Sequence, residues 1–342
     1  MVLIFILFIL FTFWKCKFYG KSFYQDYISK QGTLPIKGFF VIIVFLSHMI
    51  SYLTLTSPWD TPLKDICSTI GQLMVTMFLF YSGYGVYESI KHKKDYIRNF
   101  PKNRILKLLF EFDFVVLTYL VIDILLGKTS GKKMILFSLI GWESLGNSNW
   151  YIFAILSLYF ITYLSFQIFK KSDIKALISV TVLSIVYILV VAKVKDGYWV
   201  NTILCYPLGM LFSMFRKQHE KLIFHNNRVY FLLLLITGFL FIAFYKHPIH
   251  LMVENITAIL FTYLVVLITM KLEITNPVLT WYGKNLFWFY ILQRIPMMLF
   301  QTWKIPDISI YLYAGPCFIC ATILTYFYSK LVPACEKYIW KK

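Results

Sequence analysis

Residues 37–48 read KGFFVIIVFLSH: a lysine, ten residues of which only the last is polar, and a histidine. The apolar run extends over about 38–56, long enough to cross a hydrocarbon core of about 30 Å as a helix. Further runs recur at 69–90, 105–126, 150–169, 176–193, 199–215, 229–245, 251–270, 285–303 and 309–331. Among the 342 residues 59% are hydrophobic and 15% charged, which excludes a soluble globular enzyme, where charged residues make up about 25%. The expected fold is all-α: a polytopic membrane helix bundle of ten core transmembrane helices plus one extra N-terminal helix.

That extra helix is Met1 to Trp14. No basic segment precedes it, no small-residue cleavage site follows it, and Lys15, Lys17 and Lys21 come next, so it reads as an uncleaved helix starting outside, not as a signal peptide. Two units follow: residues 1–34, a membrane helix with a basic linker, and 35–342, a single membrane domain. With the linker in the cytosol, alternation places 25 Lys and Arg on the cytosolic side and 8 outside, with Arg294 inside a span. The formal charge of +18 therefore reports orientation, with the C-terminus inside, and does not indicate nucleic acid. The outer segment Met134–Asn149 is semi-apolar and too short to span, so it reads as an interfacial or re-entrant lid. Six scattered cysteines give neither a disulfide framework nor a metal-ligand set; Cys317 and Cys320 read as core residues.

Ionisable side chains inside spans mark functional sites unless they face a partner. Here they are His48, Glu88, Glu111, Asp113, Asp123, Glu254 and Arg294. Counting about 1.5 Å per residue puts His48 about 15 Å from the cytosolic side, and Ser82, Asp113, Gln293 and Arg294 about 12 to 14 Å from it, which predicts one shared polar layer. Lys37 precedes His48 by almost three turns on the same helix face, about 16 Å away, a ruler for a long substrate with an anionic end and a reactive end. Arg104 and Lys107, one turn apart where a helix enters from the cytosol, suit a phosphate. In FLFYSGYG (78–85), Ser82 offers a hydroxyl, and the glycines permit close approach of a helix or ligand. In NSNWYI (147–152), Trp150 and Tyr151 are interfacial anchors or a platform for a sugar. Arg294 requires an anion, for which Asp113, Glu111 and Glu254 are the candidates.

In order and spacing these strings resemble the acyltransferase 3 family of integral membrane acyltransferases, which includes O-acetyltransferases of surface polysaccharides. The resemblance runs from about Pro35 to the end. It rests on Lys37 and His48 with ten residues between them, FLFYSG, RILK with Lys107 where arginine is common, NWYI, and YGKNLFWFYILQ. Gln293 stands where the family often has histidine, so it is expected to orient or hydrogen-bond rather than to move protons. The esterase-like domain that follows the bundle in many members is not seen here.

The resemblance implies acetyl-CoA as a cytosolic acyl donor, an extracytoplasmic or surface glycan hydroxyl as acceptor, and His48 as catalyst, either as general base or as acyl carrier. On this reading Lys37, Arg104 and Lys107 bind the donor. Ser82, Asp113 and Arg294 assist His48, while Trp150, Tyr151 and Gln293 meet the acceptor. The expected location is the plasma membrane. The rival reading is a transporter or flippase for a lipid-linked sugar.

Overall fold

The computed structural model describes residues 2–246 and 250–340. At its centre stands helix α2, Leu34–Ile50, which starts at Pro35, where a missing N–H costs nothing, and buries 13 of its 17 residues. Its apolar residues cover every face, so it must be enclosed on all sides. Helix α1, Val2–Phe13, lies against it, with Phe8 stacked on Phe39 at 5.4 Å. At 12 residues, about 18 Å, α1 is too short to cross a core of about 30 Å, so only part of the expected extra span is present.

From α2 on, the described residues run ten times between the two ends of the bundle, six of these traverses as helices long and apolar enough to cross a membrane, and the fold is an all-α membrane helix bundle. Helix α3, Thr61–His92, is followed by a π-helical turn, Pro101–Leu106, and α4, Lys107–Leu125. A short helix α5, Lys132–Leu139, leads through the lid loop to α6, Trp150–Ile168. Then come α7, Asp173–Val191; α8, Cys205–Phe224; α9, Asn227–Tyr245; and α10, Leu251–Thr269. The ninth traverse is broken into α11, Pro277–Lys284; α12, Leu286–Leu292; and α13, Arg294–Thr302. A single turn α14, Ile305–Ile308, precedes the last traverse, α15, Ile310–Trp340. The loops rich in Lys and Arg share one end of the bundle, the basic end; the lid lies at the other, the far end.

Two helix pairs touch backbone to backbone. A Cβ at Gly38 or Gly283 would collide with the Leu279 or Leu34 carbonyl, joining α2 to α11, and one at Gly83 or Gly209 would collide with the Tyr206 or Phe80 carbonyl, joining α3 to α8. Small residues permit such crossings where lipid supplies no hydrophobic drive between helices. At the basic end, strand β1, Cys16–Phe18, pairs antiparallel with β2, Leu272–Ile274. Beside it, the ammonium of Lys271 donates to Gly20 O (3.0 Å), Ser22 O (2.7 Å) and Asn227 Oδ1 (2.8 Å) and lies over the Phe23 ring. Burial lowers the pKa of Lys271, so these oxygens serve to hold the charged form.

Candidate functional site

Ser47 and His48 occupy the last turn of α2, at the far end. Ser47 Oγ donates to Cys67 O on α3 (2.8 Å), an approach that the absent side chain of Gly71 permits. This contact sets the depth of His48 beside the first turns of α3. Gln293, fully buried between α12 and α13, donates from Nε2 to His48 Nδ1 (3.1 Å) and to Tyr290 O (2.9 Å). The helix breaks there: Pro296 has no N–H for the Leu292 carbonyl, and Tyr119 donates to Ile291 O (3.0 Å). The second ring nitrogen of His48 makes no hydrogen bond among the described residues.

His48 lies at the wall of a far-end depression of about 460 Å³, formed by α2, the start of α3, lid residues Ser144 and Asn147–Trp150, Tyr198, Tyr290 and Arg294. Among the described residues, ten buried side-chain polar atoms lack a partner, and four of them belong to residues lining this depression: Asn147 Nδ2, Ser148 Oγ, Tyr290 Oη and Arg294 Nε, with Gln293 Oε1 buried behind His48. Buried polar atoms are nearly always paired, so this concentration is the signature of a site built for a polar occupant.

The expected polar layer divides into two levels. Tyr81 lies under the ammonium of Lys37, 5.0 Å from ring centre to Nζ, so its neighbour Ser82 stands at the Lys37 level, where its hydroxyl meets Tyr159 Oη (2.9 Å). Eleven residues separate Ser82 from Gly71, which lies at the His48 level, a rise of about 16 Å. The error arose at the basic end, where α3 runs on to His92, eleven residues beyond Tyr81, while Lys37 is only three residues from the start of α2. Asp113, on the second turn of α4, does not line the depression either, and its Oδ1 is buried without a partner. No ion pair among the described residues joins Arg294 to Asp113, Glu111 or Glu254. Arg294 instead borders the depression next to the Tyr52 hydroxyl.

Lys37 and His48 lie on one unbroken helix, eleven residues apart and at different levels. Arg104 and Lys107 are not paired on one face, because the wider i→i+5 turn over Pro101–Leu106 rotates Arg104 away from its neighbour. Arg104 Nε donates to Tyr96 Oη (2.9 Å), whereas Lys107 is neutralised by Glu336 (2.7 Å) and Glu111 (3.7 Å). One run of rings lies at each level, both reaching α6. Tyr96 meets Phe100 at 5.5 Å and Phe100 meets Tyr159 at 5.5 Å; Tyr151, two turns along α6, meets Tyr290 at 5.7 Å, and Tyr290 meets His48 at 6.1 Å.

Trp150 lines the depression, but only 8% of it is exposed; Tyr151 belongs to the ring series below, and Gln293 is covered by His48. The exposed ring at the rim is Tyr198, in the short turn Gly197–Trp199, which no hydropathy pattern marks. Ser148 and Tyr290 were also missed, although both lie within strings that drew notice for other residues.

Comparison with known families supplies one match: a family model described as an acyltransferase domain covers residues 36–329. No curated protein matches the chain, and no solved structure does. The chain belongs to this acyltransferase family and is a membrane acyltransferase.

Proposed function

We propose that this membrane acyltransferase moves an acetyl group from acetyl-CoA, held at the basic end in the cytosol, to a hydroxyl of an extracytoplasmic or surface glycan held in the far-end depression. The host membrane is then the plasma membrane, with the C-terminus cytosolic. The observation that carries this reading is His48, fixed through Nδ1 by Gln293, with its other nitrogen unbonded at the wall of a depression lined by four unpartnered polar atoms.

Arg104 and Lys37 bind the donor's phosphates, and the pantetheine arm runs along α2 and the ring-bearing face of α6 toward His48. The amide hydrogen on Nδ1 keeps the proton of the resting neutral ring on Nε2. To act as base, the ring needs its lone pair at Nε2. The ring therefore passes through its other tautomer: Nε2 gives its proton to solvent in the depression, Nδ1 takes one up, and the Gln293 amide turns so that Oε1 accepts from Nδ1–H.

His48 Nε2 then takes the acceptor hydroxyl proton as the oxygen attacks the thioester carbonyl. Arg294 and the Ser148 and Tyr290 hydroxyls stabilise the oxyanion. The C–S bond breaks, and the imidazolium returns the proton to the departing thiolate, leaving an O-acetyl ester and CoA.

General base catalysis is worth about 10²- to 10⁴-fold, so His48→Ala is expected to lower O-acetyl esters on surface glycans by that order. Identical acetylation in wild-type and variant cells, accompanied by altered glycan export, overturns the reading in favour of a transporter.

A further inference from the structure

Beside the His48 depression lies a second one of about 450 Å³, and the two share Ser144, Asn149 and Tyr198. The geometry points to a second acceptor subsite here, holding the saccharide unit next to the one that is acylated; the inference rests on the function proposed above. The acceptor class that follows is a glycan of two or more linked sugars.

The subsite is built and held rigid. Lys195 Nζ donates to Trp142 O (2.9 Å), pairs with Glu143 (3.3 Å), and lies 4.4 and 4.8 Å from the Trp142 and Trp199 ring centres. This clasp ties the lid to the α7–α8 connection. The Tyr198 backbone is fixed from below, where its carbonyl accepts from Gln72 Nε2 (2.9 Å), and the residue is 44% exposed on the border between the two depressions.

An exposed ring on an anchored backbone offers a stacking surface for the C–H face of a sugar. Hydroxyl partners surround it. Asn149 spends its amide on Gly141 O (2.9 Å), leaving Oδ1 as an acceptor, and the Glu143 carboxylate is 43% exposed. Convergent polar groups around an apolar platform fix the orientation of a ligand. One sugar fills one depression, and only a linked pair covers both.

The test uses purified full-length protein with radiolabelled acetyl-CoA. The acceptors are glucose, galactose and N-acetylglucosamine, each alone and as linear di- to hexasaccharides. For the wild type, kcat/KM on an oligomer is expected to exceed that on its monomer by about tenfold, the value of one aromatic contact. Tyr198→Ala should remove that ratio through KM, and Tyr198→Phe should keep it. A wild-type ratio near one, or equal losses on monomer and oligomer in Tyr198→Ala, overturns the subsite while His48-dependent transfer stands. Label incorporation that is the same in wild type and His48→Ala for every saccharide overturns the proposed function and the subsite with it.

Discussion

Replacing Gln293 with leucine tests the proton path at a residue the acceptor does not reach. The substitution keeps approximate volume but deletes the bond to His48 Nδ1 and the one to Tyr290 O. In the proposed cycle His48 becomes an imidazolium whose Nδ1–H is received by Gln293 Oε1, an atom buried and unpartnered at rest. A hydrogen bond to a charged group is worth about 1.5–3 kcal/mol. Losing it from the transition state lowers kcat about 12- to 160-fold. The assay is CoA release by purified protein at saturating acceptor, with kcat and the KM for acetyl-CoA measured separately. The KM should hold, because Gln293 lies at the opposite level from Lys37 and Arg104. Gln293→Glu, whose carboxylate accepts from Nδ1–H, should restore most of kcat. If Gln293→Leu stays within about twofold of wild type while His48→Ala is inactive, the shift in Gln293 bonding plays no part in turnover.

At the basic end, Arg104→Ala should raise the KM for acetyl-CoA about tenfold, the loss of one charge-assisted phosphate contact. Lys107→Ala should change it far less, since Lys107 is already neutralised by Glu336 and Glu111; equal effects would remove Arg104 from the donor site. Gly83→Leu drives a side chain into the Tyr206 backbone and should cost about 1–3 kcal/mol of stability, read as a lower thermal midpoint in detergent. Gly85→Ala is the control: its Cβ meets no atom within 4 Å, and a similar drop there would refute the crossing as the cause.

The spans were legible because hydrocarbon accepts only long runs whose backbone groups are satisfied within the helix, and such runs carry a hydropathy signal. The Lys37–His48 face was legible for the same reason, since an unbroken helix converts spacing into distance. Depth was not. Helix α3 projects past the start of α2 at the basic end, since Tyr81, eleven residues from His92, is level with Lys37, three residues from Leu34; that offset of about 12 Å moved Ser82 out of the His48 level. Nor does sequence reveal that Pro101–Leu106 winds as a π turn, which sends Arg104 and Lys107 to different partners. Arg294 looked like half of an ion pair because its span was read as regular. The break at Gln293 instead turns the guanidinium toward a polar depression. Tyr198 left no trace because a three-residue turn between helices has no periodicity to read.

The clasp around Lys271 sets the order in which the protein is assembled. The carbonyls of Gly20 and Ser22 are synthesised about 250 residues before the ammonium they bind. At roughly 5–20 residues per second, the ribosome takes about 13 to 50 s to cover that gap. Throughout that interval α1 has α2 to pack on, but the linker lacks its Lys271 clasp and strand β1 presents an unpaired edge. The clasp therefore closes only when eight of the ten traverses have been made, and a chain released before residue 271 keeps the packing of α1 on α2 but lacks both the clasp and the β1–β2 pair.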